Sequence, residues 1–172
     1  MRWCAEHVAI CDARAYDVIS YRRAVRARNY TGKSARTLTM ADHIVFSADK
    51  VAVITGAAEG IGRACAARFA SRGMHVLMAD RHAEKLNEAA IEVRAAAASS
   101  AVRINTCVGD VSRLADVEAL KALAYQEFGQ VDVLMNNAGT SVPTSSWGEL
   151  DNWRHLIDVN MWGILHGIQT FT

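Results

Sequence analysis

From residue 50 onward, two patterns of apolar and polar residues alternate along the chain. Short runs rich in β-branched residues, each closed by a polar residue or glycine, predict buried strands. Longer stretches with apolar residues three or four positions apart predict amphipathic helices. The predicted strands are Val51–Thr55, His75–Ala79, Val102–Val108 and Val131–Met135, and the predicted helices are Gly60–Arg72, Ala83–Ala98, one from the N-cap Ser112 through Glu127, and one from about Leu150 onward.

This alternation predicts an α/β fold with a Rossmann-like, doubly wound parallel sheet. We expect the strand order 3-2-1-4, and hence an incomplete sheet whose fourth strand is an edge with no partner in the chain. Gly73 and Gly129 are predicted to end the first and third helices. In the last helix, helical spacing predicts a buried face formed by Trp153, Leu156, Ile157, Met161, Ile164 and Leu165.

Residues 1–49 lie outside this pattern, and we expect a poorly ordered N-terminal extension ahead of a nucleotide-binding domain at residues 50–172. The extension carries the Arg-rich run Tyr21–Arg28. A transit peptide is disfavoured because Glu6, Asp12 and Asp17 are acidic. A nucleic-acid-binding arm is an alternative, although basic runs are usually just solvated. The first 39 residues, ahead of Met40, are expected to be an upstream extension.

Three glycines follow the first predicted strand, at Gly56, Gly60 and Gly62. Gly56 allows a sharp turn, Gly60 lets a pyrophosphate approach the backbone, and Gly62 lets the following helix pack closely on the strand. The unpaired N–H groups at the start of that helix, and its dipole, favour bound phosphates. Strand, glycine turn and helix together therefore predict a dinucleotide site.

Polar residues also follow the other predicted strands. Asp80 lies 18 positions after Gly62, where a carboxylate can bond a ribose 2′-OH. A helix cap or a turn is the alternative role for Asp80. Asp110-Val111 follow the third strand and Asn136–Gly139 follow the fourth. Because ligands of open α/β sheets bind at the carboxyl ends of the strands, we expect these residues to surround one site.

With these motifs, residues 50–172 resemble the short-chain dehydrogenase/reductase family. T-G-A-A-E-G-I-G at Thr55–Gly62 is similar to that family's T-G-x-x-x-G-I-G, and N-N-A-G at Asn136–Gly139 to its motif after the fourth strand. Asp110 matches the family's Asp near the adenine, and Asn160 matches the Asn of its Asn-Ser-Tyr-Lys catalytic set. The resemblance implies an NAD(P)-dependent oxidoreductase that transfers a hydride between nicotinamide and an alcohol or carbonyl carbon.

The resemblance also implies a set of site residues and a cofactor. We expect NAD(H), since Asp80 would repel a 2′-phosphate and Glu59 adds no positive charge nearby. Arg81 is the counter-evidence, because it could pair with that phosphate, so NADP(H) stays open. Asn160 is the catalytic candidate, and the cofactor-binding candidates are Thr55, Gly56, Glu59, Gly60, Ile61, Gly62, Asp80, Arg81, Asp110, Val111, Asn137, Ala138 and Gly139.

The family's catalytic Tyr and Lys form a Tyr-x-x-x-Lys motif after the Asn, and these 172 residues contain no such motif. Thr172 is only 12 positions beyond Asn160. We therefore expect a truncated chain that is inactive by itself. The alternatives are a non-catalytic dinucleotide-binding module, a non-functional gene fragment, and a nucleic-acid binder that uses the Arg-rich run. The resemblance leaves the substrate unassigned.

Composition narrows the remaining choices. A length of 172 residues with 51% hydrophobic residues fits one domain with a sizeable core. The net charge of +1 does not favour nucleic-acid binding by the chain as a whole. The four cysteines lack metal-binding spacing, and their usage suits a reducing cytoplasm. Neither a membrane-spanning run nor a signal peptide is apparent in the sequence. The expected partner is a small alcohol or carbonyl substrate, and a homo-oligomer is expected for a full-length parent.

Overall fold

The computed structural model describes residues 9–12, 43–142 and 148–172. The predicted Arg-rich run and most of the predicted N-terminal extension lie outside the described residues. The described part contains five strands, namely β1 (Ala9–Asp12), β2 (Val51–Thr55), β3 (His75–Asp80), β4 (Ile104–Val108) and β5 (Val133–Asn136). Its α-helices are α1 (Gly60–Ala70), α2 (Ala83–Ala95), α3 (Leu114–Phe128), α4 (Leu150–Ile157) and α5 (Gly163–Phe171), and a short 3₁₀ helix covers Ile44–Phe46.

The strands form one parallel sheet in the order β1-β5-β2-β3-β4. The predicted order 3-2-1-4 is confirmed for the four strands that follow residue 50. The expected unpaired edge is wrong, because β1 pairs with β5 from Ala9 opposite Val133 to Asp12 opposite Asn136. A four-residue extended segment from near the start of the chain thus supplies the backbone partners of β5.

Helices cover both faces of the sheet, so the predicted doubly wound architecture is confirmed. Successive side chains of a strand point to opposite faces. Ile54 and Met78 pack with the buried residues of α1 and α2, whereas Val53, Leu77 and Leu134 pack with those of α3. These five side chains have no exposed surface. Burying each one contributes roughly 1.5–3 kcal/mol, so the sheet itself is the centre of the core.

The predicted helix end is confirmed at Gly129, the C-cap of α3, whereas α1 ends at Ala70 with Ser71 and not Gly73 as its C-cap. The predicted N-cap of α3 is also wrong. Gly73 and Gly129 adopt φ values of +84° and +78°, the left-handed region that glycine favours after a helix. The N-cap of α3 is Arg113 and not Ser112. The Ser112 hydroxyl instead donates to Asp110 Oδ1 at 2.7 Å, so it belongs to the loop after β4.

The last helical region is interrupted, and its predicted buried face is wrong. Between α4 and α5 the backbone makes a π-helical turn at Asp158–Trp162. Trp153, Ile157 and Met161 are exposed, by 39%, 39% and 53%. Leu156, Ile164 and Leu165 are of intermediate exposure.

Small residues make the close contacts of α5 instead. A Cβ at Gly163 would lie 2.7 Å from Val111 Cγ2, and a Cβ at Gly167 would lie 2.2 Å from Asn136 Oδ1. The backbone of α5 therefore sits directly against β5 and the loop after β4. Besides these glycines, α5 buries Phe171 among the core residues of α3.

Candidate functional site

A cleft of about 290 Å³ lies where the loops after β2, β3, β4 and β5 meet, at the carboxyl edge of the sheet. This is the edge where open α/β sheets bind ligands. Most of the candidate residues come together there. Those that line the cleft are Gly56, Glu59, Gly60, Asp80, Arg81, Asp110, Val111, Asn137, Ala138 and Gly139. The lining residues that the sequence did not single out are Ala79, His82, Gly109, Thr140 and Val159.

The glycine turn has the backbone geometry that only glycine accepts readily. Gly56 and Gly60 have φ values of +64° and +54°. A Cβ at Gly62 would lie 2.2 Å from the carbonyl oxygen of Gly56 and 2.5 Å from Asn137 Nδ2. A Cβ at Gly60, by contrast, would meet nothing within 4 Å in the described part of the chain. Gly62 thus allows close packing, and the space in front of Gly60 is open.

Helix α1 begins at this turn. Its first backbone bond runs from Arg63 N to the carbonyl of Glu59 at 3.2 Å. The N–H groups of residues 60–62 therefore precede the hydrogen-bonded ladder of the helix. Such groups, together with the helix dipole, make the start of α1 suited to phosphate oxygens.

Thr55 and Asn137 join the glycine turn to the loop after β5. The Thr55 hydroxyl oxygen accepts bonds from the backbone N–H groups of Asn137 and Ala138, at 3.0 and 3.1 Å. The Asn137 side-chain amide donates to the carbonyls of Thr55 and Gly56, both at 3.0 Å. Thr55 is 97% buried, so it acts from beneath the cleft.

Asp80 bridges two loops with its carboxylate. Its Oδ2 accepts from Ala58 N at 3.2 Å, and its Oδ1 lies 3.0 Å from the backbone N and 3.1 Å from the ring Nδ1 of His82. The N-cap of α2 is His82, so the alternative role of Asp80 as a helix cap is wrong. Asp80 instead forms a turn by accepting the backbone N–H of His82. The sequence analysis missed His82 as a lining residue of the cleft. Its position two residues after Asp80, which ends a strand, is the signal that could have identified it.

Asp110 is held by its own loop. Its Oδ1 accepts from the backbone N–H and the hydroxyl of Ser112, at 2.9 and 2.7 Å, and its own N–H donates to Asp116 Oδ2 at 2.9 Å. Burial alone would raise the pKa of Asp110. The two Ser112 bonds and the positive charges of Arg81 and His155 together hold that pKa below its ordinary value.

Asn160 lies in the π-helical turn and is 92% buried. Its Oδ1 accepts from Thr140 N and its Nδ2 donates to the Thr140 carbonyl, both at 2.8 Å. Among the described residues, the candidates Asn160, Thr55, Ile61 and Gly62 do not line the cleft. Asn160 thus holds the Gly139-Thr140 backbone in place, and its catalytic role stays a prediction.

The described residues offer no group of three or more His, Cys, Asp or Glu that could hold a metal ion. Burial and the charge of Asp116 both raise the pKa of Cys107, so this thiol stays protonated near neutral pH. Among the helices that the structure describes, none is long and apolar enough to cross a bilayer.

Several proteins are similar to this chain. An uncharacterized oxidoreductase of Staphylococcus saprophyticus is 34% identical over 121 residues, which cover 70% of this chain and 50% of that protein. An uncharacterized oxidoreductase of Listeria innocua is 38% identical over 122 residues, covering 70% and 47%. The glycine betaine reductase of Emericella nidulans is 37% identical over 120 residues, covering 69% and 9%. The chain thus spans at most about half the length of these curated relatives.

Solved structures share the fold. A short chain dehydrogenase/reductase from Burkholderia phymatum in complex with NAD superposes with a TM-score of 0.69 at 37% identity, over 75% of this chain and 44% of that one. An NAD⁺-bound xylitol dehydrogenase superposes with a TM-score of 0.67 at 28% identity, over 72% and 47%. The sequence model of the short chain dehydrogenase family matches residues 50–172. Because that match covers more than half of the chain, this protein belongs to the short chain dehydrogenase family.

Proposed function

We propose that this chain binds a nicotinamide dinucleotide in the cleft and forms the cofactor-binding part of an oxidoreductase. The observation that carries the proposal is the convergence of the glycine turn, Asp80 and the Asn137–Gly139 loop on one cleft at the carboxyl edge of the sheet. When bound, the nicotinamide would accept or donate a hydride in exchange with an alcohol or carbonyl carbon. The NAD complexes of the Burkholderia phymatum dehydrogenase/reductase and of xylitol dehydrogenase support this choice of ligand.

The residues of the cleft fit such a ligand. The open space in front of Gly60 leaves room for a pyrophosphate beside the first N–H groups of α1. A carboxylate offers about four acceptor positions. Asp80 accepts from the backbone N–H groups of Ala58 and His82, and the His82 ring Nδ1 lies 3.1 Å from its Oδ1, so acceptor capacity is left for a ribose hydroxyl. Asp110, on the loop after β4, is proposed to lie near the adenine.

We propose NAD(H) as the preferred cofactor. The Asp80 carboxylate would repel a 2′-phosphate placed at the ribose. Arg81 also lines the cleft and acts in the opposite direction. The preference therefore depends on which of these two charges lies closer to the 2′ position.

Fluorescence titration of the 172-residue chain with NADH and with NADPH tests both parts of the proposal. We expect saturable binding of both, with NADH tighter, and a loss of that preference in Asp80→Asn. Asp132→Asn is the matched control, since that carboxylate binds Lys50 and the N–H of Val51 at the opposite end of β2. Absence of saturable NADH and NADPH binding would show that the proposed function is wrong, and tighter NADPH binding would overturn the preference.

The remaining parts of the proposal concern the whole protein. Residues 50–172 are the proposed nucleotide-binding part, and most of the residues before them are proposed to be an extension, from which β1 joins the sheet and Val45 joins the core. These 172 residues hold no Tyr-x-x-x-Lys, so we expect nucleotide binding without turnover from them alone. The partner is a small alcohol or carbonyl compound, a homo-oligomer is expected for a full-length parent, and the thiols Cys65 and Cys107 support a reducing compartment such as the cytoplasm.

A further inference from the structure

Helix α5 contacts the loop after β4 through the ring of His166. His166 Nδ1 lies 2.9 Å from the Val111 carbonyl oxygen, in a partly buried contact. Because a carbonyl oxygen can only accept, the proton of this bond is on Nδ1. In the part of the chain that the structure describes, no backbone N–H donates to the Val111 carbonyl. The His166 ring therefore supplies the donor for this carbonyl.

Val111 is held by two contacts from one side of α5. Gly163 and His166 lie three positions apart, so they share one side of that helix. A Cβ at Gly163 would lie 2.7 Å from Val111 Cγ2, so the helix backbone packs directly on that side chain. The rings of Trp162 and His166 stack with their centroids 6.4 Å apart and their planes 26° apart. This stacking limits the orientations that the imidazole can adopt.

Val111 lies in the wall of the cleft, whereas His166 is not among the described residues that line it. The neighbouring Asp110 is fixed within the loop after β4 by Ser112 and Asp116. Val111 is instead bonded through its carbonyl to α5. The shape of this part of the cleft therefore depends on a side chain that a bound nucleotide does not need to touch.

We propose that His166 is a positioning residue for the adenine end of a bound dinucleotide and acts through Val111. This inference depends on the proposed function, in which Asp110 lies near the adenine. Without the His166 donor, the Val111 carbonyl would turn toward water to find another partner. The nucleotide would then have to order the loop itself, and the cost of that ordering would reduce its binding free energy.

A general packing role is the competing explanation, and His75 provides the matched control for it. His75 Nδ1 accepts from Arg103 N at 3.0 Å, and its ring stacks on Phe128 with the centroids 5.9 Å apart. His75 thus makes the same two kinds of contact as His166. It begins β3, however, and is not among the described residues that line the cleft. Replacing His75 should therefore reduce stability without changing nucleotide binding.

The test compares the 172-residue parent chain with His166→Phe, His166→Asn and His75→Phe. NADH binding is measured by fluorescence titration, and binding of ADP, which carries the adenine end alone, by its displacement of NADH. His166→Phe keeps a ring beside Trp162 but has no donor, so we expect both ligands to bind about three- to tenfold more weakly, the usual effect of losing one hydrogen bond. His166→Asn places an amide Nδ2 near the former Nδ1 and should restore both affinities to within about twofold of the parent.

The other outcomes overturn the proposal in distinguishable ways. Equal weakening in His75→Phe would reduce the effect to a general loss of stability. No recovery in His166→Asn would show that the ring and not the donor matters. Unchanged ADP binding in His166→Phe, or ADP that does not displace NADH from the parent, would exclude a role at the adenine end. If the parent binds NADH and His166→Phe binds both ligands equally well, only the role of His166 fails. If the parent binds neither NADH nor NADPH, the proposed function fails with it.

A measurement on the parent chain needs no variant to fold. Long-range proton–nitrogen NMR correlations identify which nitrogen of a neutral histidine ring is protonated. We expect the proton on Nδ1 in His166, which donates through that atom, and on Nε2 in His75, which accepts through Nδ1. Saturating ADP should shift the His166 signals and leave those of His75 unchanged. A His166 proton on Nε2 alone, or no response of His166 to ADP, would contradict the proposal.

Discussion

Replacing Gly62 with alanine should weaken dinucleotide binding and destabilise the fold. The new Cβ would lie 2.2 Å from the Gly56 carbonyl oxygen, 2.5 Å from Asn137 Nδ2 and 2.9 Å from the Gly56 carbonyl carbon. Ordinary van der Waals contact begins near 3.4 Å, so the glycine turn and α1 must separate by about 1 Å. Two of the three contacts are with backbone, which cannot rotate out of the way as a side chain does.

The expected cost follows from that separation. Overpacking of this kind typically costs about 1–3 kcal/mol, and contact with backbone places Gly62→Ala at about 2–3 kcal/mol. For a chain of this length, that corresponds to a Tm lower by about 5–10 °C. The same movement displaces the N–H groups at the start of α1, so we expect NADH affinity to fall by at least about tenfold.

Thermal unfolding and NADH fluorescence titration of parent and variant measure the two effects. Gly167→Ala is the matched control, since its Cβ would lie 2.2 Å from Asn136 Oδ1, outside the glycine turn. This control should lose stability while folded protein at low temperature still binds NADH. A Gly62→Ala protein with parental Tm and NADH affinity would show that close packing at Gly62 is not needed for the fold or for dinucleotide binding.

Three further results are expected. Thr55→Val leaves two backbone N–H groups of the loop after β5 without their acceptor and should cost about 2–4 kcal/mol in urea unfolding, whereas Thr55→Ser should restore most of it. The folded-state pKa of Asp110 lies below its ordinary value near 4, so the ionised carboxylate stabilises the fold at higher pH. That stabilisation is lost as pH falls through the folded pKa. The Tm difference between parent and Asp110→Asn should therefore narrow on acidification. The 172-residue chain, freed of host dehydrogenases, should show no nicotinamide absorbance change with a panel of alcohols and ketones. These residues contain no Tyr-x-x-x-Lys, and a general acid typically accelerates the reaction by about 10²–10⁴-fold. Turnover that Asn160→Ala abolishes would contradict this expectation.

Local patterns were enough to predict four of the five strands of the described sheet. The four strands after residue 50 begin and end within two residues of the prediction, because β-branched runs closed by Asp, Asn or Gly leave little choice. The glycine turn was predictable for a similar reason, since its spacing encodes backbone geometry directly. Ten cofactor candidates consequently meet at one cleft.

The parts that sequence missed depend on tertiary contacts. The tetrapeptide A-I-C-D of β1 is too short to show a period, and its partner β5 is far away in the chain. Serine is a favoured residue at a helix N-cap, but the Ser112 hydroxyl donates to Asp110 instead. Trp153 and Met161 are spaced as if buried but are exposed, whereas the buried residues of the following helix α5 are Gly163, Gly167 and Phe171.

The position of β1 has a consequence for folding order. The residues that it pairs with β5 are 124 positions away, whereas β2, β3 and β4 join neighbours through single helical crossovers. Because closing a loop over such a separation costs entropy, β1 should pair with β5 late in folding. Because its ladder with β5 is short, β1 should also separate early in unfolding. Amide hydrogen exchange should therefore be slow across β2 and β3 and faster along the outer edge of β5, where each opening of β1 returns the backbone to water.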